Sequence, residues 1–314
     1  MLLKLSSILN WHPSAAVRVR NPPGYDPPVD NHLIKTADSL NPQRQTVALT
    51  IAGYDPSSGA GVTADLQVFA AHGIFGLSTI TAQTVQSTLG VSEISPADPG
   101  WIDRTIRCLA LDLPPDGIKI GMLATGKIVE TVVHYLREVR EGNWCKPNIP
   151  IVLDTVMVSS SGARLLAAEG LDHMTQRLLP LVDWITPNWP ELSALTGCAV
   201  HSVTAAQAAA DRLAAQQPHL QIVVTGGDQE RAVDILRLRS GETLIFDSPR
   251  IESSSTHGTG CAFSSALLAQ LLHGKDAADS VAAAKEYVAG AIRNAPVLGT
   301  GKGPLNFFWQ YSRE

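Results

Sequence analysis

The chain has 314 residues, 45% hydrophobic and 17% charged, enough apolar material for one large buried core or two modest ones. Its net charge of −5, without a long Lys/Arg run, offers no basic stripe for a nucleic-acid backbone, and no apolar run approaches the ~20 residues needed to cross a bilayer. Four cysteines, Cys108, Cys145, Cys198 and Cys261, stand far apart and without zinc spacing, which argues against a disulfide framework or structural metal site and suits a cytoplasmic protein.

Residues 1 to 45 carry NPPGYDPPVD and SLNPQRQ, where prolines remove amide donors and no apolar periodicity develops. A flexible N-terminal extension is expected there, and its opening MLLKLSSIL is too short and interrupted for a secretory apolar core. From residue 46 the character changes. Short runs rich in Val, Ile and Thr (TVALTIAG, LSTITAQ, DGIKIGML, IPIVLDTVM, VDWITPN, LQIVVTGG) predict buried parallel strands. Between them GVTADLQVFAAHG, PGWIDRTIRCLALDL, KIVETVVHYLREVR and AAQAAADRLAAQ predict amphipathic helices. This alternation implies an α/β fold in one domain, residues 46 to 314: a mostly parallel central sheet with helices on both faces. AVDILRLRSGETLIFDSPRI reads as a small antiparallel hairpin at one edge.

Ligands of open α/β sheets gather beyond the carboxyl ends of the strands, which singles out Gly53, Gln86, Met122, Asp154, Asn188, Gly226 and their neighbours. IAGYDPSSGAGVTADLQ joins strand to helix through glycines without P-loop spacing, and suits a small ligand packed on backbone. Asp65, in the helix that follows, reads by itself as a surface acid. Asp154, Asn188 and Glu191 could hold Mg²⁺ through oxygens and water. Asn188 before WPEL is equally an N-cap, with Glu191 completing a capping box. TGGDQE ends a strand with bare backbone for a base or phosphate, or simply turns.

SSSTHGTGCAF leads into an alanine-rich helix. Its glycines allow amides to converge on an anion at a helix N-terminus, the alternative being an ordinary turn capped by Thr256 or Thr259. Cys261 falls in the first helical turn, where the dipole lowers a thiol's pKa; it could equally be a small buried residue.

Taken together, LTIAGYDPSSGAGVTADL, ITAQTVQSTLGV, KIGML, VLDTVMVSSSG, ITPNWPEL, SPRIESSSTHGTGC and GTGKGPLNFF resemble the hydroxymethylpyrimidine/phosphomethylpyrimidine kinase family of thiamin biosynthesis, in the ribokinase-like superfamily. The resemblance runs from about Ala48 to Phe308. It implies transfer of the ATP γ-phosphate, with Mg²⁺, to 4-amino-5-hydroxymethyl-2-methylpyrimidine and then to its monophosphate, in a homodimer without nucleic-acid or membrane partners. It further implies substrate contacts at Asp65, Gln86, Met122 and Val156, and an anion hole at Gly258, Thr259, Gly260 and Cys261. Cys261 would be the proton acceptor where the wider superfamily has an aspartate. Asn188, Glu191, Thr225 and Gly227 would serve ATP, and Asp154 and Glu191 the metal. The chain departs from the family pattern at Tyr54 (usually Ser or Thr), Thr63 (Gln), Ser87 (Asn) and Ser255 (Asn), and at Thr225 and Ser160, where lysines are frequent. Lys302 is a candidate to compensate for those two cations. The alternatives are a pyridoxal-type kinase of the same superfamily, a non-catalytic pyrimidine- or nucleotide-binding regulator, and a hydrolase with Cys261 as nucleophile and His257 as base.

Overall fold

Strict alternation along the first strand sets the layering: Val47, Leu49 and Ile51 join one core cluster, while Ala48 joins another on the opposite face. The computed structural model describes residues 44–159, 161–226 and 231–311. The expected extension therefore lies, up to residue 43, outside the described residues. Arg44 and Gln45, at its end, hydrogen-bond the carbonyls of Pro114 and Gly73.

The strands are β1 (Val47–Tyr54), β2 (Phe75–Ser87), β3 (Gly90–Pro96), β4 (Gly117–Ile120), β5 (Ile151–Leu153), β6 (Trp184–Ile185), β7 (Gln221–Val224), β8 (Arg231–Arg237) and β9 (Thr243–Pro249). They form one sheet in the order β3-β2-β1-β4-β5-β6-β7-β8-β9. All neighbouring pairs from β2 through β7 are parallel. Helices α1 (Gly61–Ala71), α2 (Pro99–Asp112), α3 (Gly126–Arg140), α4 (Ala168–His173), α5 (Trp189–Thr196), α6 (Val203–Gln216), α7 (Thr259–Leu272) and α8 (Ala277–Arg293) connect them. Residues of α2, α3, α5 and α6 build the core on one face, and those of α1, α7 and α8 the core on the other. Polar caps start the helices where the sequence supplies them: Asp98 accepts from Trp101 N–H, Ser202 from Ala205 N–H and Asp276 from Asp279 N–H.

The β8–β9 hairpin forms as expected. Antiparallel pairing is not confined to that edge, however. β2 runs to Ser87, turns at Thr88–Leu89 and pairs with β3. STLG carries no Asn-Gly or Asp-Gly turn signal, and β3 (GVSEISP) is largely exposed, so no apolar alternation marks it. From β1 the chain steps to β2 on one side and β4 on the other, which opens a crevice at the end of β1.

One polar cluster interrupts the layer between the sheet and helices α1 and α7. Thr50 on β1 pairs with Lys119 on β4, so both side chains share the face that these helices cover. Lys119 Nζ lies 2.9 Å from each oxygen of Asp65 on α1, and both residues are fully buried. Thr50 Oγ1 (2.6 Å) and Ser265 Oγ of α7 (2.8 Å) also donate to Asp65. Losing one member of such a pair strands a buried charge, whereas losing both does not. Lys119→Met should cost about 3–5 kcal/mol in urea unfolding, and Asp65→Asn/Lys119→Met should recover most of it. A single variant as stable as the parent would contradict this.

Candidate active site

The strand ends surround a cavity of about 400 Å³. Gly53, Gln86, Met122, Asp154, Val156, Asn188, Glu191 and Thr225 line it, as do Gly258, Thr259, Gly260 and Cys261. Gly227 and Ser160 lie outside the described residues. Asp65 is the exception. It is neither the surface acid nor the ligand-contacting residue expected, because Lys119, Thr50 and Ser265 engage its carboxylate below the cavity.

Two glycine-rich loops form one wall. Gly258 stands at φ +84 as the N-cap of α7, and neither Thr256 nor Thr259 supplies a side-chain cap. The first-turn amides of α7 consequently lack the capping partner expected of a threonine, at the positive end of the helix dipole. A Cβ on Gly258 would overlap the Gly59 carbonyl, so the loops fit only because that position has no side chain. Gly61 N–H points at the Cys261 sulphur.

Cys261 itself differs from expectation. The residue is half-buried, but burial at the sulphur, with Asp154 and Asp65 nearby, pushes the thiol up to about 12 in spite of Lys119 and the helix terminus. Desolvation outweighs the dipole. His257 directs Nε2 to Asp55 at 2.7 Å, while Cys261 faces Gly61, Asp154 and Lys119; no Cys–His couple forms among the described residues.

Two buried acids also line the cavity. Asp154 Oδ2 accepts from Ser264 Oγ (3.1 Å) and is 4.0 Å from Lys119 Nζ. Glu191 completes the capping box of α5: its Oε2 accepts from Asn188 N–H at 3.0 Å, and Asn188 Oδ1 accepts from Glu191 N–H at 2.9 Å. Thr155 Oγ1 also donates to Glu191. The cap reading and the site reading therefore hold together, since both residues line the cavity as well. Burial and the neighbouring Asp154 push Glu191 up to about 8, and burial likewise raises Asp154. No cluster of three or more His, Cys, Asp or Glu forms a ready cage among the described residues. Two buried carboxyls with raised pKa values suit Mg²⁺, which binds through one or two carboxylates and keeps several waters.

Sequence reasoning passed over Asp55 and the structural part played by His257, both of which line the cavity. Asp55 accepts from Ser57 N–H (2.8 Å), Ser57 Oγ (2.7 Å) and Ala60 N–H (2.9 Å), tying the first loop together. An acid directly after a strand and before PSSG was the available signal.

The phosphomethylpyrimidine kinase family model matches residues 55–306. The chain belongs to this family. It is 40% identical over 270 residues to the hydroxymethylpyrimidine/phosphomethylpyrimidine kinase of Haemophilus influenzae, covering 84% of this chain and 97% of that one. The enzyme of the same name from Escherichia coli is 40% identical over 266 residues, 83% of this chain and 97% of its own. Among solved structures, the phosphomethylpyrimidine kinase of Clostridium difficile 630 superposes with a TM-score of 0.66 at 34% identity, covering 79% of this chain and 100% of that one. The pyridoxal kinase of Staphylococcus aureus in complex with ADP gives a TM-score of 0.75 at 29% identity, covering 85% and 95%. The protein is thus an ATP-using kinase of thiamin biosynthesis with a ribokinase-like fold, and no helix among the described residues is long and apolar enough to cross a membrane.

In this kinase the raised Glu191 has a consequence for stability. An acid whose folded pKa lies above its unfolded one holds more protons in the native state, so stability falls as pH rises between the two values. Unfolding free energy should decline from about pH 5 to about pH 8, and Glu191→Gln should flatten that decline in urea titrations. An identical slope in parent and variant would count against the assignment.

Proposed function

We propose that the pyrimidine lies between the first glycine-rich loop and Gln86, Met122 and Val156, with its hydroxymethyl group towards Gly258–Cys261. The lining of a single cavity by all of these residues supports this reading and is the observation that carries it. ATP would approach from Asn188 and Thr225, which are joined by a backbone bridge, with Asp154 and Glu191 holding Mg²⁺. When bound, the metal supplies positive charge to the phosphate oxygens.

Phosphoryl transfer depends chiefly on positioning and on stabilising charge on the equatorial oxygens. Here the α7 amides would provide that stabilisation. In the first transfer the hydroxymethyl oxygen bonds the γ-phosphorus, the bond from that phosphorus to the bridging oxygen breaks, and ADP leaves. The hydroxyl proton passes to Cys261 once the thiol has given up its own proton to solvent. In the second the acceptor is already an ionised phosphate and brings no hydroxyl proton to the reacting oxygen. Pyridoxal is the informative control acceptor because of the similarity to a pyridoxal kinase. Residues 46–314 would act as one domain in a cytoplasmic homodimer; exposed Val85 and Leu89 on the β2–β3 hairpin support self-association.

A coupled assay with ATP and Mg²⁺ should show faster turnover of the pyrimidine alcohol and its monophosphate than of pyridoxal. Because the Cys261 thiol must lose a proton to accept one, the first transfer should accelerate from pH 7 to pH 9 while the second does not. Cys261→Ala should slow the first transfer by roughly 100-fold or more and the second far less. Equal losses in both would overturn the role of Cys261, and preference for pyridoxal would overturn the substrate.

A further inference from the structure

His257 lies next to the anion loop, yet its ring engages the first glycine-rich loop and Gln86. His257 Nε2 is 2.7 Å from Asp55 Oδ2 and 3.0 Å from Gln86 Nε2. Asp55 already accepts two backbone N–H groups and the Ser57 hydroxyl. Burial raises its pKa, but the hydrogen bonds from His257 and Ser57 outweigh this and hold it below the usual carboxylate value. An ionised Asp55 only accepts, so His257 Nε2 carries a proton. A protonated ring nitrogen cannot also receive an N–H from Gln86.

A second conflict lies at the other end of the same amide. Thr84 Oγ1 is 3.0 Å from the Tyr54 carbonyl and 3.1 Å from Gln86 Oε1, yet it has one proton for two acceptors. Exchanging the two ends of the Gln86 amide removes both conflicts, and only the hydrogen-bond network distinguishes those ends. Gln86 Oε1 then shares the His257 N–H, Gln86 Nε2 donates to Thr84 Oγ1, and Thr84 donates to Tyr54. These contacts use one lone pair of the oxygen and one hydrogen of the nitrogen. One oxygen lone pair and one N–H remain for a ligand, and Gln86 lines the cavity.

We propose that His257 is a specificity-positioning residue: anchored on Asp55, it fixes the Gln86 amide so that the site reads a ring edge with a donor on the His257 side and an acceptor on the Thr84 side. This rests on the placement of the acceptor ring given above. An amidine edge, an exocyclic amino group beside an unprotonated ring nitrogen, meets the requirement. The 4-oxo counterpart, with a ring N–H beside a carbonyl, presents the reverse order.

The test compares kcat/KM for the 4-amino and 4-oxo forms of the hydroxymethylpyrimidine in the parent, His257→Leu and His257→Gln, with KM for ATP and thermal unfolding measured alongside. His257→Leu should narrow the amino/oxo ratio by roughly 10- to 100-fold through the acceptor KM, the size of a bidentate reading. KM for ATP should stay within about twofold, since ATP does not use this edge. His257→Gln, which keeps an N–H within reach of Asp55, should return most of the preference. Should His257→Leu fail to fold, Thr84→Val frees the other end of the amide and should narrow the ratio in the same way. A folded variant with an unchanged ratio, or a folded His257→Gln with no recovery, overturns the proposal. If the parent phosphorylates neither ring, the functional reading has failed; dissociation constants of the two pyrimidines by calorimetry then read the orientation directly, and equal values overturn it.

Discussion

The buried ammonium of Lys119 and the carboxylate of Asp65 set the terms for everything above them. A lysine enclosed between a sheet and two helices is tolerated only when an anion meets it with good geometry, and Asp65 meets it with both oxygens at 2.9 Å. That requirement draws four elements into one register: Thr50 from β1, Lys119 from β4, Asp65 from α1 and Ser265 from α7. Each of these elements leads directly into a cavity wall or out of one. The same ammonium lies 4.0 Å from Asp154, so the lowest layer of the site is charged in a fixed pattern before any ligand arrives.

Above that layer the chemistry separates into two halves. On one side Asp154 and Glu191 are held in a buried setting that raises both, a state that a cation relieves. On the other, backbone amides at the start of α7 offer positive potential without a titrating group. Phosphoryl transfer needs both, because charge spreads over the equatorial oxygens and a metal held by these acids would meet the phosphates of the donor. Cys261 is held as a thiol beside Lys119 and Asp154, so in the proposed first transfer it would take the acceptor's proton only after losing its own.

Short β-branched runs closed by Gly, Asp or Asn revealed the parallel core, and their ends marked the cavity. The β2–β3 hairpin escaped because neither its turn nor its exposed partner strand has a local signature. Asp65 was legible as important only through family resemblance, and its true partners lie 15, 54 and 200 positions away. The Asp55–His257 contact spans 202 positions and was equally hidden. For Cys261 the local rule, a thiol at a helix N-terminus, pointed the wrong way: how deeply the sulphur is buried is a property of packing and not of neighbouring residues. Glu191 shows the converse, since its capping box was visible in WPEL and turned out to be how the site residue is held.

In the proposed mechanism the two glycine-rich loops, Gln86 and the start of α7 enclose one reaction centre. A crystal structure with a non-hydrolysable ATP analogue and the pyrimidine alcohol tests it most directly. The terminal phosphate should lie over the amides of Gly258–Cys261, with the hydroxymethyl oxygen about 3–3.5 Å from its phosphorus and the ring beside Gln86. A terminal phosphate elsewhere, or a ring outside the wall formed by Gly53 and Gln86, would contradict it.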